Sequence, residues 1–279
     1  MRLIRQLNPR KPVKSTALII GGWIIGCFGL LALISLFWTP YEAFSLNIPD
    51  RLQGPSRSHL LGTDHFGRDI LSQLMVGAMN SLSIASGAVV IGVLGGIPIG
   101  LVGAIRGGWL GEGLMRLSDL TFAFPALLSA VILAALYGPS GVNVVLAVGI
   151  FNIAVFARIP ARGATGVMAL PFIQAAKAIG RTSFSIAYIH ILPNLAALLV
   201  IQATIQISIA ILAEAGLSYL GLGLQPPSPS WGKMLSDAQT YMFLNPWQAI
   251  FPGFAIMLLV WGLNIFGDGL RDYWDPKVN

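Results

Sequence analysis

Charge is what this sequence has least of. Only 10% of its 279 residues are Asp, Glu, Lys or Arg, against about a quarter in an ordinary soluble domain. Hydrophobic residues make up 55%, and the mean hydropathy is +0.76. Such a chain belongs in a bilayer. A single cysteine, Cys27, excludes an internal disulfide. No G-x-x-x-x-G-K-[ST] run occurs, so the chain carries no phosphate loop and is not itself an ATPase. The only histidines, His59, His65 and His190, fall on different loops, and no Ser/His/Asp grouping surrounds a nucleophile. A membrane-embedded enzyme is therefore disfavoured. The net charge of +6 is spread over loops, so it reads as membrane topology and not as a nucleic-acid surface.

The long uncharged runs define the spans. Residues 15–41 make the first. Residues 70–105 hold the second, from about Ser81, behind an amphipathic lead-in that ends at Met79. Residues 120–157 are broken by Gly138-Pro139-Ser140-Gly141 into a hairpin of two spans, the first of which must begin before Asp119. Residues 191–213 form the fifth, and 238–267 contain the sixth, from about Pro246. Lipid-exposed backbone must satisfy its own hydrogen bonds, so six transmembrane helices and an all-α fold follow. Residues 1–14 read as a tail, 42–80 as an external segment, 81–270 as a five-span core and 271–279 as a second tail. The N-terminus has the charge pattern of a secretory signal, but its apolar run is too long and lacks an A-x-A site. Cys27 lies inside that unbroken run and reads as a core position of the first span.

Basic residues orient the chain. With a cytoplasmic N-terminus, Arg2, Arg5, Arg10, Lys11, Lys14, Arg106, Arg116, Arg158, Arg162, Lys177, Arg181, Arg271 and Lys277 fall inside. Only Arg51, Arg57, Arg68 and Lys233 fall outside. Both termini and the 171–193 segment are then cytoplasmic.

That segment reads PFIQAAKAIGRTSFSIAYIHILP. Ile173 to Ile179 favours helix, the adjacent Ala175 and Ala176 leave a low surface for a partner, and Gly180 permits a turn. A second short helix then runs to Pro193, which can open the next span. Gln174, Ala175, Ala176, Gly180, Leu192 and Pro193 resemble the cytoplasmic loop of importer permeases of the ATP-binding cassette class. The family's glutamate is here Gln174, so an ion pair at that point is absent. Further motifs are similar to those of the dipeptide, oligopeptide and nickel permeases. They are Leu61-Gly62-Thr63-Asp64-His65-Phe66-Gly67-Arg68-Asp69, Ala213-Glu214-Ala215-Gly216-Leu217-Ser218 with Pro229-Ser230-Trp231-Gly232, and Asn264 to Asp272 followed by Asp275-Pro276. The resemblance covers nearly the whole chain, and one span before the core matches the C-type subunit.

The resemblance implies a type I ABC importer permease fold and no catalytic or metal site. It implies a homologous B-type permease, two cytoplasmic ATPases that hold ATP and Mg, and a periplasmic solute-binding protein. It also implies a bacterial inner membrane and its lipid. Arg158 and Arg162, four apart on one helix face, read either as support for the coupling loop or as membrane anchors. Gly62, Asp64, Gly67, Arg68 and Asp69 read as a structural motif at the outer face, with Asp69 able to start a helix. Glu214 faces the pathway or the permease–permease interface, or else is an interfacial residue that reaches water or caps the following 219–223 turn. Asp119 pairs with Arg116 or another cytoplasmic base. Gly87, Gly92, Gly95, Gly96 and Gly100 allow close helix packing.

An ion-coupled secondary transporter would call for more intramembrane acids than Glu214 and Asp119, and for internal repeats, of which none is evident. Nickel would suit His or Cys ligands along a path. Only Cys27 lies in a span, which favours peptides as the solute. The topology is testable in a Cys27→Ser background. A cysteine placed at Gly54 or beside Lys233 is expected to be labelled from outside sealed cells, and one at Ala178 is not. Ready labelling at 178 would invert the arrangement.

Overall fold

A computed structural model of the chain describes residues 16–274. The basic tail from Arg2 to Lys14, and Asp275, Pro276 and Lys277, lie outside the described residues. Helices α1 (Thr16–Ser35), α2 (Ile70–Arg106), α3 (Gly108–Ala123), α4 (Ala126–Tyr137) and α5 (Gly141–Met168) fill the first part of the chain. They are followed by α6 (Pro171–Ala178), α7 (Ser183–Ile186), α8 (Leu192–Tyr219), α9 (Trp231–Ala238) and α10 (Trp247–Trp274). By length and composition five helices can cross a membrane, or six if the bent pair α3–α4 counts as one span.

Side-chain oxygens start several of these helices. Asp69 caps α2, Ser140 caps α5, Thr182 caps α7 and Ser230 caps α9, each accepting from a backbone N–H three residues on. The amphipathic lead-in expected over 70–79 is not separate from the second span. Both are one helix, because Asp69 supplies the start and nothing after it stops the ladder. The third span is also not one rod. It bends by 74° between α3 and α4. The cause is Pro125, which lacks a donor and pushes Phe124 out of helical conformation (φ −108°, ψ 98°).

Close backbone approach holds the bundle. α2 and α5 run parallel, with Gly87 against Val145, Gly92 against Asn152, Gly96 against Ile153 and Phe156, and Gly100 against Ala157. A Cβ at Gly92, Gly96 or Gly100 would overlap α5. In lipid an apolar side chain gains little by preferring a protein neighbour, so dispersion across close backbones carries the contact. α8 runs antiparallel to this pair. Leu195 packs on Gly163 at one end, and Glu214 meets Ser81 at the other. α1 lies antiparallel on α10 through Gly21, Gly262 and Gly269. Its outer face is uncovered, and Cys27 is exposed there. The core position expected for Cys27 is thereby corrected: α1 is apolar all round, and it is the face with Leu18, Gly21 and Ile24 that turns toward α10.

A Gly100→Val variant is expected to lose about 2–3 kcal/mol through overpacking, or to disappear from the membrane fraction. Gly26→Ala, where no atom lies within 4 Å of the new Cβ, should melt like the parent. Equal thermal melting of both purified variants in detergent would remove the α2–α5 contact from its role.

Candidate functional site

Three constellations lie at the two ends of the bundle. The first is the turn from Gly62 to Asp69. Gly67 has φ +76°, and a Cβ there would strike the Asn47 carbonyl, so only glycine closes this turn. The turn folds around Asp64. Its carboxylate accepts from the backbone N–H of Phe66 (2.8 Å) and Arg68 (2.9 Å), from Arg68 Nε (2.6 Å) and from Gln73 Nε2 (3.0 Å). Asp69 accepts from both Ser72 N and Ser72 Oγ at 2.8 Å, and His59 Nδ1 lies 3.0 Å from its other oxygen. Asp64 and Asp69 are buried. Arg68 also approaches Asp237 of α9 at 3.9 Å, and Asp237 pairs with Lys233. The turn is thus bolted to α9. Burial pushes the His65 imidazole below its ordinary value, against the upward pull of Asp64 and Asp237.

The second constellation surrounds Glu214. Its carboxylate accepts from Ser81 Oγ of α2 (2.9 Å) and from Ser218 Oγ of α8 (2.7 Å). Ser81 Oγ in turn accepts from Trp231 N at 3.4 Å. Trp231 is fully buried, donates from Nε1 to Leu74 O, and meets Phe28 of α1 edge-on at 5.4 Å. Gly232 lies directly on Ala215. Glu214 itself is fully buried, and no cation contacts it among the described residues. Its carboxylate lies inside this chain and away from water, joining α2 to α8 beneath α9.

The third constellation is the 171–193 segment, at the opposite end. Ile173 and Ala176 face inward and are buried, whereas Ala175 is exposed. The low surface expected from two alanines is therefore supplied by Ala175 alone, because adjacent helical residues point some 100° apart. Gln174 is exposed, and its Nε2 donates to Met168 O at 3.0 Å, tying α6 back to the end of α5. Gly180 adopts φ +80° with no atom within 4 Å of a Cβ. After it, α7, a π-helical stretch at Ala187–Ile191 and α8 run on as one helix, Ser183–Tyr219. Leu192 and Pro193 thus lie within this rod and do not follow a break. Pro193 has no N–H to donate, and just before it the ladder widens to a π turn in which Leu192 N donates to Ala187 O. Arg158 pairs with Asp119 at 2.6 Å and lies over the Phe122 ring at 4.0 Å. Arg116 pairs with Glu112. Arg162 is exposed and has no carboxylate partner among the described residues.

Sequence reasoning missed Ser81, Ser218, Asp237 and Gln73. Lys233 and Asp237 at helical spacing were a readable signal; Ser81 and Glu214, on different helices, were not.

Residues 96–279 match the family described as binding-protein-dependent transport system inner membrane component, and the chain belongs to that family. It is 42% identical over 265 residues to the dipeptide transport system permease protein DppC of Alkalihalophilus pseudofirmus, covering 95% of this chain and 87% of that one. It is 42% identical over 259 residues to the glutathione transport system permease protein GsiD of Pectobacterium atrosepticum, covering 91% and 86%. The GsiD of Salmonella typhimurium is likewise 42% identical, over 267 residues. In fold the chain resembles a chain of the inward-facing MetNI methionine ABC transporter, with a TM-score of 0.58 and 16% identity over 73% of this chain and 97% of that one. The fold is the type I ABC importer permease fold, and the protein is a multi-pass membrane permease.

The buried carboxylate predicts a graded mutational response. Glu214→Gln keeps the size and an acceptor and is expected to cost no more than about 1 kcal/mol. Glu214→Ala leaves a void and unpaired hydroxyls and should cost about 2–4 kcal/mol. Equal melting of the two variants would mean that the carboxylate does not join α2 to α8.

Proposed function

We propose that this chain is the membrane-spanning subunit of an ATP-driven importer for dipeptides or related small peptides such as glutathione. It provides half of the translocation pathway in an inner membrane and pairs there with a homologous permease. A periplasmic solute-binding protein delivers the solute to the end that carries the Gly62–Asp69 turn and α9. Two cytoplasmic ATPases, which hold ATP and Mg, engage the 171–193 segment. This chain binds no cofactor and catalyses no reaction. The observation that carries the reading is the continuous helix that begins in that segment. From Ser183 to Tyr219 it spans 37 residues, about 55 Å at an α-helical rise. A push on α6 and α7 is therefore delivered through a stiff element to Glu214 and Ser218, where the rod is pinned to α2 and α9. A rigid element with two discrete seatings is what coupling between remote sites requires. The scarcity of charge along the spans suits a solute that passes without being trapped by fixed ions.

The hinge of this lever is Gly180. Because no atom crowds a Cβ there, the effect of Gly180→Val is purely conformational: the residue is forced out of φ +80°. Membrane insertion is expected to persist, while peptide uptake falls at least about tenfold, since a strained hinge of 1–3 kcal/mol shifts the seating of α6. Wild-type uptake and peptide-stimulated ATP hydrolysis in the assembled variant would remove the segment from its coupling role.

A further inference from the structure

The joint between the Gly62–Asp69 turn, α9 and α10 contains a polar contact that no direct bond closes. Arg68 Nη2 lies 3.9 Å from Asp237 Oδ2, beyond hydrogen-bond reach. The other carboxylate of the joint is already full. Asp64 accepts from Phe66 N, Arg68 N, Arg68 Nε and Gln73 Nε2, which occupies the roughly four positions that two carboxylate oxygens offer. Asp237 is different. Its Oδ1 is taken by Lys233 Nζ, whereas its Oδ2 accepts no hydrogen bond among the described residues. A second loose end comes from α10. Gln248 is only 4% exposed, and its Nε2 is buried with no hydrogen-bond partner among the described residues. Native interiors rarely leave an amide so.

These loose ends meet. A cavity of about 10 Å³ lies among Asp64, Arg68, Asp237 and Gln248, with Ile70 and Met234 as apolar walls. That is about the room that the centre of one water molecule needs. The chemistry of the rim narrows the occupant. It must accept a hydrogen bond from Gln248, bridge the gap from Arg68, and donate to Asp237. A bare cation cannot accept, and it would be repelled by Arg68 and Lys233. A halide cannot donate, and it would be repelled by Asp64 and Asp237. A small neutral molecule with both lone pairs and protons meets all three demands.

We propose that this cavity is a binding site for one ordered water, which accepts from Gln248 Nε2 and Arg68 Nη2 and donates to Asp237 Oδ2. About three hydrogen bonds is the usual complement of a buried water. The water closes the link from the turn to α9 and brings α10 into it, so that three elements of the cap share one hydrogen-bonded centre. A contact bridged in this way is nearly as favourable in enthalpy as a direct one. The assignment is independent of the solute and partners proposed above.

The test is X-ray hydroxyl-radical footprinting of the full chain in nanodiscs, in which a radical born from a bound water oxidises the side chain beside it. Met234 lines the cavity, whereas Met75 of α2 does not, and both are buried, at 7% and 4% exposed. Met234 is expected to be oxidised at least about fivefold faster than Met75, because a water sits against it despite its burial. Gln248→Leu removes one donor and pushes branched carbons toward the cavity. In that variant the Met234 rate is expected to fall to that of Met75, and unchanged membrane levels and an unchanged Met75 rate verify folding. Equal rates for the two methionines in the wild type would overturn the inference. So would a Met234 excess that persists in Gln248→Leu.

A second measurement needs no variant. In a high-resolution map of the wild-type chain in its membrane complex, a single peak is expected about 2.7–3.2 Å from Gln248 Nε2 and from Asp237 Oδ2. Its height should be the same in NaCl and in RbBr. A peak that grows in RbBr would assign the site to an ion and overturn the inference. Arg68 closed directly on Asp237 with no peak would overturn it as well.

Discussion

The parallel contact between α2 and α5 is the constraint on which the rest of the structure depends. Gly92, Gly96 and Gly100 let the two backbones meet without intervening side chains, and the pair makes a fixed wall for α8 to cross. In water such a contact would be secondary to hydrophobic burial. In a bilayer it is the main source of helix attraction. The packing tolerates a cost, since the Asn152 side-chain nitrogen is buried at this contact without a hydrogen-bond partner. With α2 and α5 locked, α8 has a stationary surface against which to shift, and the end pinned by Glu214 and the end carrying α6 and α7 are mechanically one object.

The ends of that object differ in chemistry. One end is closed by paired charges: buried Asp64 with Arg68, buried Asp69 with the α2 N-terminus, and half-buried Lys233 with Asp237. Such groups rigidify a cap when every member is paired, and breaking one partner is costly. The other end carries exposed aromatic rings and bases that have no carboxylate partner among the described residues. The two ends of the bundle thus differ in how far their charges are paired within the chain.

Much of this was legible in the residues, for physical reasons. A bilayer tolerates few charges, so uncharged runs reported the spans, and the hairpin glycines at 138 and 141 reported the reversal between α4 and α5. The GRD and PSWG segments could be recognised as motifs, but not as parts of one cap, because their contact joins residues far apart in sequence. The bend at Pro125 was hidden by an apolar run that is equally compatible with a straight rod, although the proline itself was the signal. The exposure of Cys27 could not be read from a helix that is apolar on every side. The burial of Glu214 could not be inferred either: its partners are two serines, and serine is common in spans.

The central claim is that the chain moves peptide by engaging an ATPase through the lever formed by α7 and α8. The most direct measurement is uptake of a labelled dipeptide into proteoliposomes that contain the assembled complex, with the solute-binding protein on the receiving side. The account predicts accumulation that requires ATP on the ATPase side and persists when ion gradients are collapsed. Accumulation driven by a proton or sodium gradient without ATP would contradict it.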